Sequence, residues 1–142
     1  MAAIDTLRKQ CIGRFDLDCG DDTSTFLDKL RPFSEVSMSD FYQIICAAEE
    51  IYQSTANDQV IDKDVIYQLN GCAHYVYIWA LRDGAMLTCN GLISDAQKKQ
   101  LEKIYKVLMG VIAQLCNPHD RSDNGTSPME VYVGEFGTGD NK

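Results

Sequence analysis

No apolar run in this chain approaches the ~20 residues that a membrane-spanning helix requires; even the stretch from Tyr75 to Leu81 stops at Arg82 and Asp83. A helical span is therefore not expected. Basic residues are scarce as well. With 13 bases against 21 acids the net charge is −8, so phosphate backbones and anionic lipid headgroups are repelled rather than attracted. Neither nucleic acid nor a membrane surface is expected as a partner. Histidine, the usual general acid or base near neutral pH, occurs only twice, at His74 and His119. No two of the six cysteines form a C-x-x-C pair, which argues against a zinc ribbon or a thioredoxin-like site. G-x-S-x-G, S-x-x-K and G-K-[ST] are missing too, leaving no nucleophile elbow and no phosphate loop. The sequence thus assigns no catalytic residue, no metal and no cofactor. The opening MAAIDTLRKQCIGRF carries Asp5, Arg8, Lys9 and Gln10 where a secretory leader needs an unbroken apolar stretch. A cytoplasmic location is expected, and the N-G-T acceptor at Asn124 is discounted on that ground.

What is present is an ordinary globular composition, 45% apolar and 24% charged over 142 residues. A chain of this length buries roughly two-thirds of its unfolded surface, so its core holds without disulfides. Cys11, Cys19, Cys46, Cys72, Cys89 and Cys116 are read mainly as reduced, small hydrophobes. A disulfide-bonded form is the alternative, and the sequence does not choose its pairings.

Apolar spacing of three and four predicts helices over about 3–15, a short stretch ending at Pro32, and about 37–54. In the last of these, Ser37 and Asp40 resemble a capping box and Met38, Phe41, Ile44, Ile45, Ala48, Ile51 and Tyr52 trace the stripe. A further helix runs from Asp62 to about Asp83, closed by Gly84, and is apolar most of the way round, the mark of a central helix. The last long helix runs from Ser94 to about Cys116 with Lys98, Lys99, Lys103 and Lys106 outward. Asn117 and Pro118 stop it. Residues 129–136 (MEVYVGEF) alternate weakly and are read as a short extended segment. The expected fold is an all-α, compact bundle of about five helices around a central aromatic-rich helix. It forms one domain over 1–117, with an extended or disordered C-terminal extension over 118–142.

Candidate chemistry is thin. Asp16 and Asp18 sit like the first and third ligands of an EF-hand loop, but Gly20, Asp21 and Leu27 then occupy positions five, six and twelve, which breaks the pattern. Cys116 and His119 make half of a zinc site with no second half nearby. His74 lies mid-helix among Tyr67, Tyr75 and Tyr77, where it serves either packing or, with Tyr105, a small pocket.

Two features stand out. Residues 1–64 hold 13 acids and 6 bases, so −7 of the −8 net charge lies in the first half. Tyr67, Tyr75, Tyr77 and Trp79 crowd one helix, more aromatic surface than one buried stripe needs. Together they suggest a protein-binding module covering a basic site on a partner, as an inhibitor or adaptor of the immunity-protein or antitoxin kind does. On that reading Asp16, Asp18, Asp21, Asp22, Glu49 and Glu50 supply charge, while Tyr75 and Trp79 supply the desolvated anchor. A ligand pocket around His74, enzymatic or not, is the first alternative. A homo-oligomer, a homodimer in the simplest case, is the second, with thiol sensing through Cys19 and Cys89.

Overall fold

The computed structural model describes residues 3–11, 25–31, 33–55, 60–117 and 126–137. These residues form an all-α fold. Helix α1 spans Ala3–Gln10, α2 Met38–Ser54, α3 Lys63–Val76, α4 Met86–Cys89, α5 Asp95–Leu115 and α6 Pro128–Phe136. Helix α1 packs on α2 and α3, α5 packs on α3 and α2, and α6 lies against α2 and α5.

The helix starts follow from side chains in the sequence. Ser37 Oγ accepts the Asp40 N–H, Asp62 accepts the Asp64 N–H, and Ser94 with Gln97 closes a reciprocal capping box. Asp40 does not complete a box of its own, because its carboxylate turns to Lys29 Nζ at 2.7 Å. That pair staples residues 25–31 to the start of α2. The segment itself is a turn closed by a bridge between Leu30 and Phe33 rather than the short helix expected. It nevertheless delivers Phe26, Leu27 and Leu30 wholly into the core.

Two departures from the expected helices have local causes. The helix begun at Lys63 does not run evenly to Asp83 but widens into a π-helical turn over Tyr77–Leu81, where the Arg82 N–H reaches the Tyr77 carbonyl. Thr88 Oγ1 takes up the Ala80 carbonyl from that turn, tying it to α4. Gly84, at φ 79°, then reverses the chain, a conformation that costs glycine nothing.

The second departure is a correction. Residues 129–136 are helical, not extended. Ser127 caps the helix, Pro128 fills its first turn and Glu130 completes a capping box, while Gly137 ends it at φ 80°. This S-P-x-E start outweighs the weak alternation of the valines. Helix α6 is also no appendage to a domain ending at 117: Tyr132 is buried and its ring meets Phe41, Tyr42 and Phe136 at 5.2–6.0 Å. The Tyr132 hydroxyl is buried without a hydrogen-bond partner among the described residues, and burial raises its pKa. Tyr132→Phe should therefore stabilise the protein by about 1 kcal/mol, read as a higher urea midpoint, because it deletes an unpaired polar group and keeps the ring.

Candidate functional site

Of the residues the sequence nominates for partner binding, Asp16, Asp18, Asp21 and Asp22 lie outside the described residues. Glu49 and Glu50 lie side by side on α2 yet do different work. Glu49 accepts the Met129 N–H at 3.0 Å and the Gln53 amide at 2.7 Å. Its carboxylate thus sits at the positive N-terminus of α6, where it offsets the helix dipole and helps hold α6 in place. Glu50 is exposed and lines a cleft of about 370 Å³ between α1 and α2. Thr6, Tyr42, Gln43 and Cys46 share that cleft, Cys46 and Tyr42 one and two turns before Glu50 on the same helix. The Cys46 thiol, by its electrostatic effect and a hydrogen bond, pushes the Tyr42 phenol up from its usual pKa.

Trp79 falls elsewhere. It is only 5% exposed, with the Tyr75 ring tilted against it at 4.9 Å and the Arg31 guanidinium 5.7 Å above its ring. The helical face that carries Cys72, Tyr75 and Trp79 is turned inward. Cys72 is wholly buried and hydrogen-bonds the equally buried Cys11, whose thiol is pushed well up by burial first and by Cys72 second. In the free chain Trp79 is core, and Tyr75 is half-buried beside it.

The most exposed tyrosines are Tyr67 and Tyr77. Asn70, His74, Tyr77, Tyr105 and Met109 surround a shallow pocket of about 130 Å³, with Tyr77 and Tyr105 rings 5.8 Å apart. The sequence brought His74, Tyr77 and Tyr105 together correctly; Tyr67 stands outside the lining. No group of three or more His, Cys, Asp or Glu side chains able to hold a metal occurs among the described residues. Among them, too, no helix is long and apolar enough to cross a membrane.

Sequence reasoning missed the clasp between α1 and α3. Arg8 Nε and Nη2 reach Asp64 Oδ2 at 2.7 and 2.6 Å, and Gln68 donates to Oδ1 at 3.1 Å. The Gln68 bond and then Arg8 hold the Asp64 carboxyl below its usual pKa. A carboxyl depressed in the fold adds stability above the unfolded value of about 3.9, and that stability is lost as pH falls through the lower, folded value. Denaturant titrations from pH 6 downward should accordingly show a steeper acid loss in the native chain than in Asp64→Asn.

No protein-family model, curated protein or solved structure matches this chain.

Proposed function

We propose that this chain is a small acidic protein-binding module that covers a basic site on a partner protein, acting as an inhibitor or adaptor. The observation that carries this reading is the charge distribution, 13 acids against 6 bases in residues 1–64 and near balance thereafter. Such a field speeds encounter with a basic surface, by tenfold or more where the potentials are complementary. The α1–α2 cleft supplies a place for contact. Glu50 at its rim and the Tyr42 ring within it suit a lysine or arginine side chain, which favours both a carboxylate and an aromatic face. A cytoplasmic immunity protein or antitoxin opposing a basic toxin fits this description.

The competing reading, a ligand or catalytic pocket at His74, has a pocket in its favour and its size against it. About 130 Å³ falls well short of the roughly 300–1,000 Å³ of sites that enclose a drug-sized ligand.

The test is affinity capture of the tagged chain's partners from native lysate at low and moderate salt, followed by kinetics with the purified partner. A basic partner is expected, held stoichiometrically at moderate salt. Changing Asp16, Asp18, Asp21 and Asp22 together to lysine, with Glu50→Lys, should slow its association about tenfold and flatten the salt dependence, while melting stays nearly unchanged. Association kinetics indifferent to these changes and to salt would remove the acidic half from the interface.

A further inference from the structure

Cys11 and Cys72 are wholly buried and hydrogen-bond each other where α1 meets α3, while Cys46, Cys89 and Cys116 are exposed. The chain fixes the pair from both sides. Cys11 extends the last turn of α1, its N–H donating to the Leu7 carbonyl at 2.8 Å. Its neighbour Gln10 is buried and anchored twice: the side-chain amide donates to Gln43 Oε1 on α2 at 3.2 Å, and its own Oε1 accepts the Phe26 N–H at 3.0 Å. Cys72 belongs to the buried face of α3 with Leu69, Ala73 and Val76. A thiol is a weak donor, and aliphatic side chains of similar size would fill this space as well. What two thiols in contact add is chemistry.

In the closed fold the pair is inert. The thiolate is the reactive form, and burial followed by the neighbouring thiol pushes Cys11 well above its usual pKa, with neither residue exposed to solvent. Helix α1 is the way in. Its eight residues fall short of the roughly 12–15 at which a helix holds itself in water, so α1 depends on its docking. Its ionic clasp to α3 uses an Arg8 side chain that is half-exposed, and such pairs contribute little. Local opening of α1, with the rest of the bundle folded, admits water and a small oxidant to both sulfurs.

We propose that Cys11 and Cys72 are a reversible oxidation site, at which a hydroperoxide joins them in a disulfide that locks α1 onto α3. The first thiol loses its proton and attacks the peroxide: an S–O bond forms, the O–O bond breaks, and the leaving oxygen takes a proton to become alcohol, or water in the case of hydrogen peroxide. The second thiol loses its proton and attacks the sulfenic sulfur; the S–S bond forms, the S–O bond breaks, and hydroxide leaves as water with that proton. Two electrons pass from the sulfur pair to the peroxide. Sulfurs already in hydrogen-bond contact need only a short displacement to reach the S–S length of about 2.05 Å. The link spans 61 positions of the chain, and cross-linking a long loop removes much of the freedom of the unfolded state. Helix α1 also gives Ala3 and Thr6 to the cleft at Glu50, so the lock fixes one wall of that cleft; this consequence alone rests on the proposed binding activity.

Treating the native full chain with hydrogen peroxide in small molar excess, alkylating the remaining thiols and mapping tryptic peptides by mass spectrometry tests this. The expected product is the Cys11 peptide joined to the Cys72 peptide, about 2 Da lighter than the two together through the loss of two hydrogens. Its appearance should coincide with a melting temperature raised by about 5 °C or more, and dithiothreitol should reverse both changes. Changing Cys46, Cys89 and Cys116 together to serine removes the exposed competitors and should leave the link intact. Cys11 and Cys72 still reduced after the exposed thiols have oxidised would overturn the proposal. So would Cys11 joined to any other cysteine, or a link between Cys11 and Cys72 that lowers the melting temperature or leaves it unchanged. None of these readouts involves a partner, so the disulfide and the binding activity stand or fall separately.

Discussion

Trp79→Ala should lower the stability of this protein by about 3–5 kcal/mol, the cost of truncating a large aromatic in a packed core. The side chain is 5% exposed and lies between the Tyr75 ring at 4.9 Å and the Arg31 guanidinium at 5.7 Å. Its removal leaves a cavity flanked by the π-helical turn, an element already tied down by its bond from Thr88 to the Ala80 carbonyl. Such a turn has little freedom to collapse into the space, so the cost belongs at the upper part of the range. Urea unfolding should show a lower midpoint at similar slope. Tyr67→Ala, at an exposed position of the adjoining helix, should change monomer stability by no more than about 0.5 kcal/mol. Near-native stability for Trp79→Ala would show that the ring does not support the core, and would return it to the candidate interface residues.

Trp79 also shows where the sequence was legible and where it was not. Helical periodicity placed Cys72, Tyr75 and Trp79 on one face without ambiguity. Whether that face turned inward depended on a contact 61 positions away in the chain, Cys11 against Cys72, which no local pattern encodes. The long helices were readable because their stripes are long and their caps explicit: Ser37, Asp62 and Ser94 all cap as their chemistry demands. The π turn was not, since the extra residue it accommodates breaks no apolar spacing and leaves no turn residue behind. Helix α6 is encoded in Ser127, Pro128 and Glu130, a cap signal that the weak alternation of Met129, Val131 and Val133 masks.

The candidate site divides along the same line. Glu49 and Glu50 are equivalent in sequence, as adjacent acids on a helix. A helix turns about 100° per residue, so neighbours leave in different directions. One carboxylate meets the start of α6 and becomes structural, while the other meets the cleft and stays available. The pocket at His74 was legible in part because its residues lie on two helices whose inward faces were already fixed. Its small volume was not, because volume depends on how closely Tyr77 and Tyr105 approach.

Phe41→Ala should cost about 3–5 kcal/mol as well, but with a different signature. Phe41 is wholly buried, and its ring lies 5.8 Å from Phe26, 6.0 Å from Tyr132 and 6.2 Å from Phe136. Three separate segments, residues 25–31, α2 and α6, therefore meet on one side chain. The segment 25–31 keeps its Lys29–Asp40 pair at 2.7 Å when the ring is lost. Helix α6 keeps the Glu49 cap and the Lys106–Glu135 pair, the latter at 3.5 Å with Lys106 exposed and worth little. Helix α6 should thus be the first element to open in Phe41→Ala, seen as faster amide exchange at 131–136 than across α3. A double-mutant cycle with Phe136→Ala should give non-additivity of about 0.5–3 kcal/mol, as for residues in direct contact. Additive losses, with α6 exchanging no faster than α3, would mean that the helix is held by its caps and not by this aromatic junction.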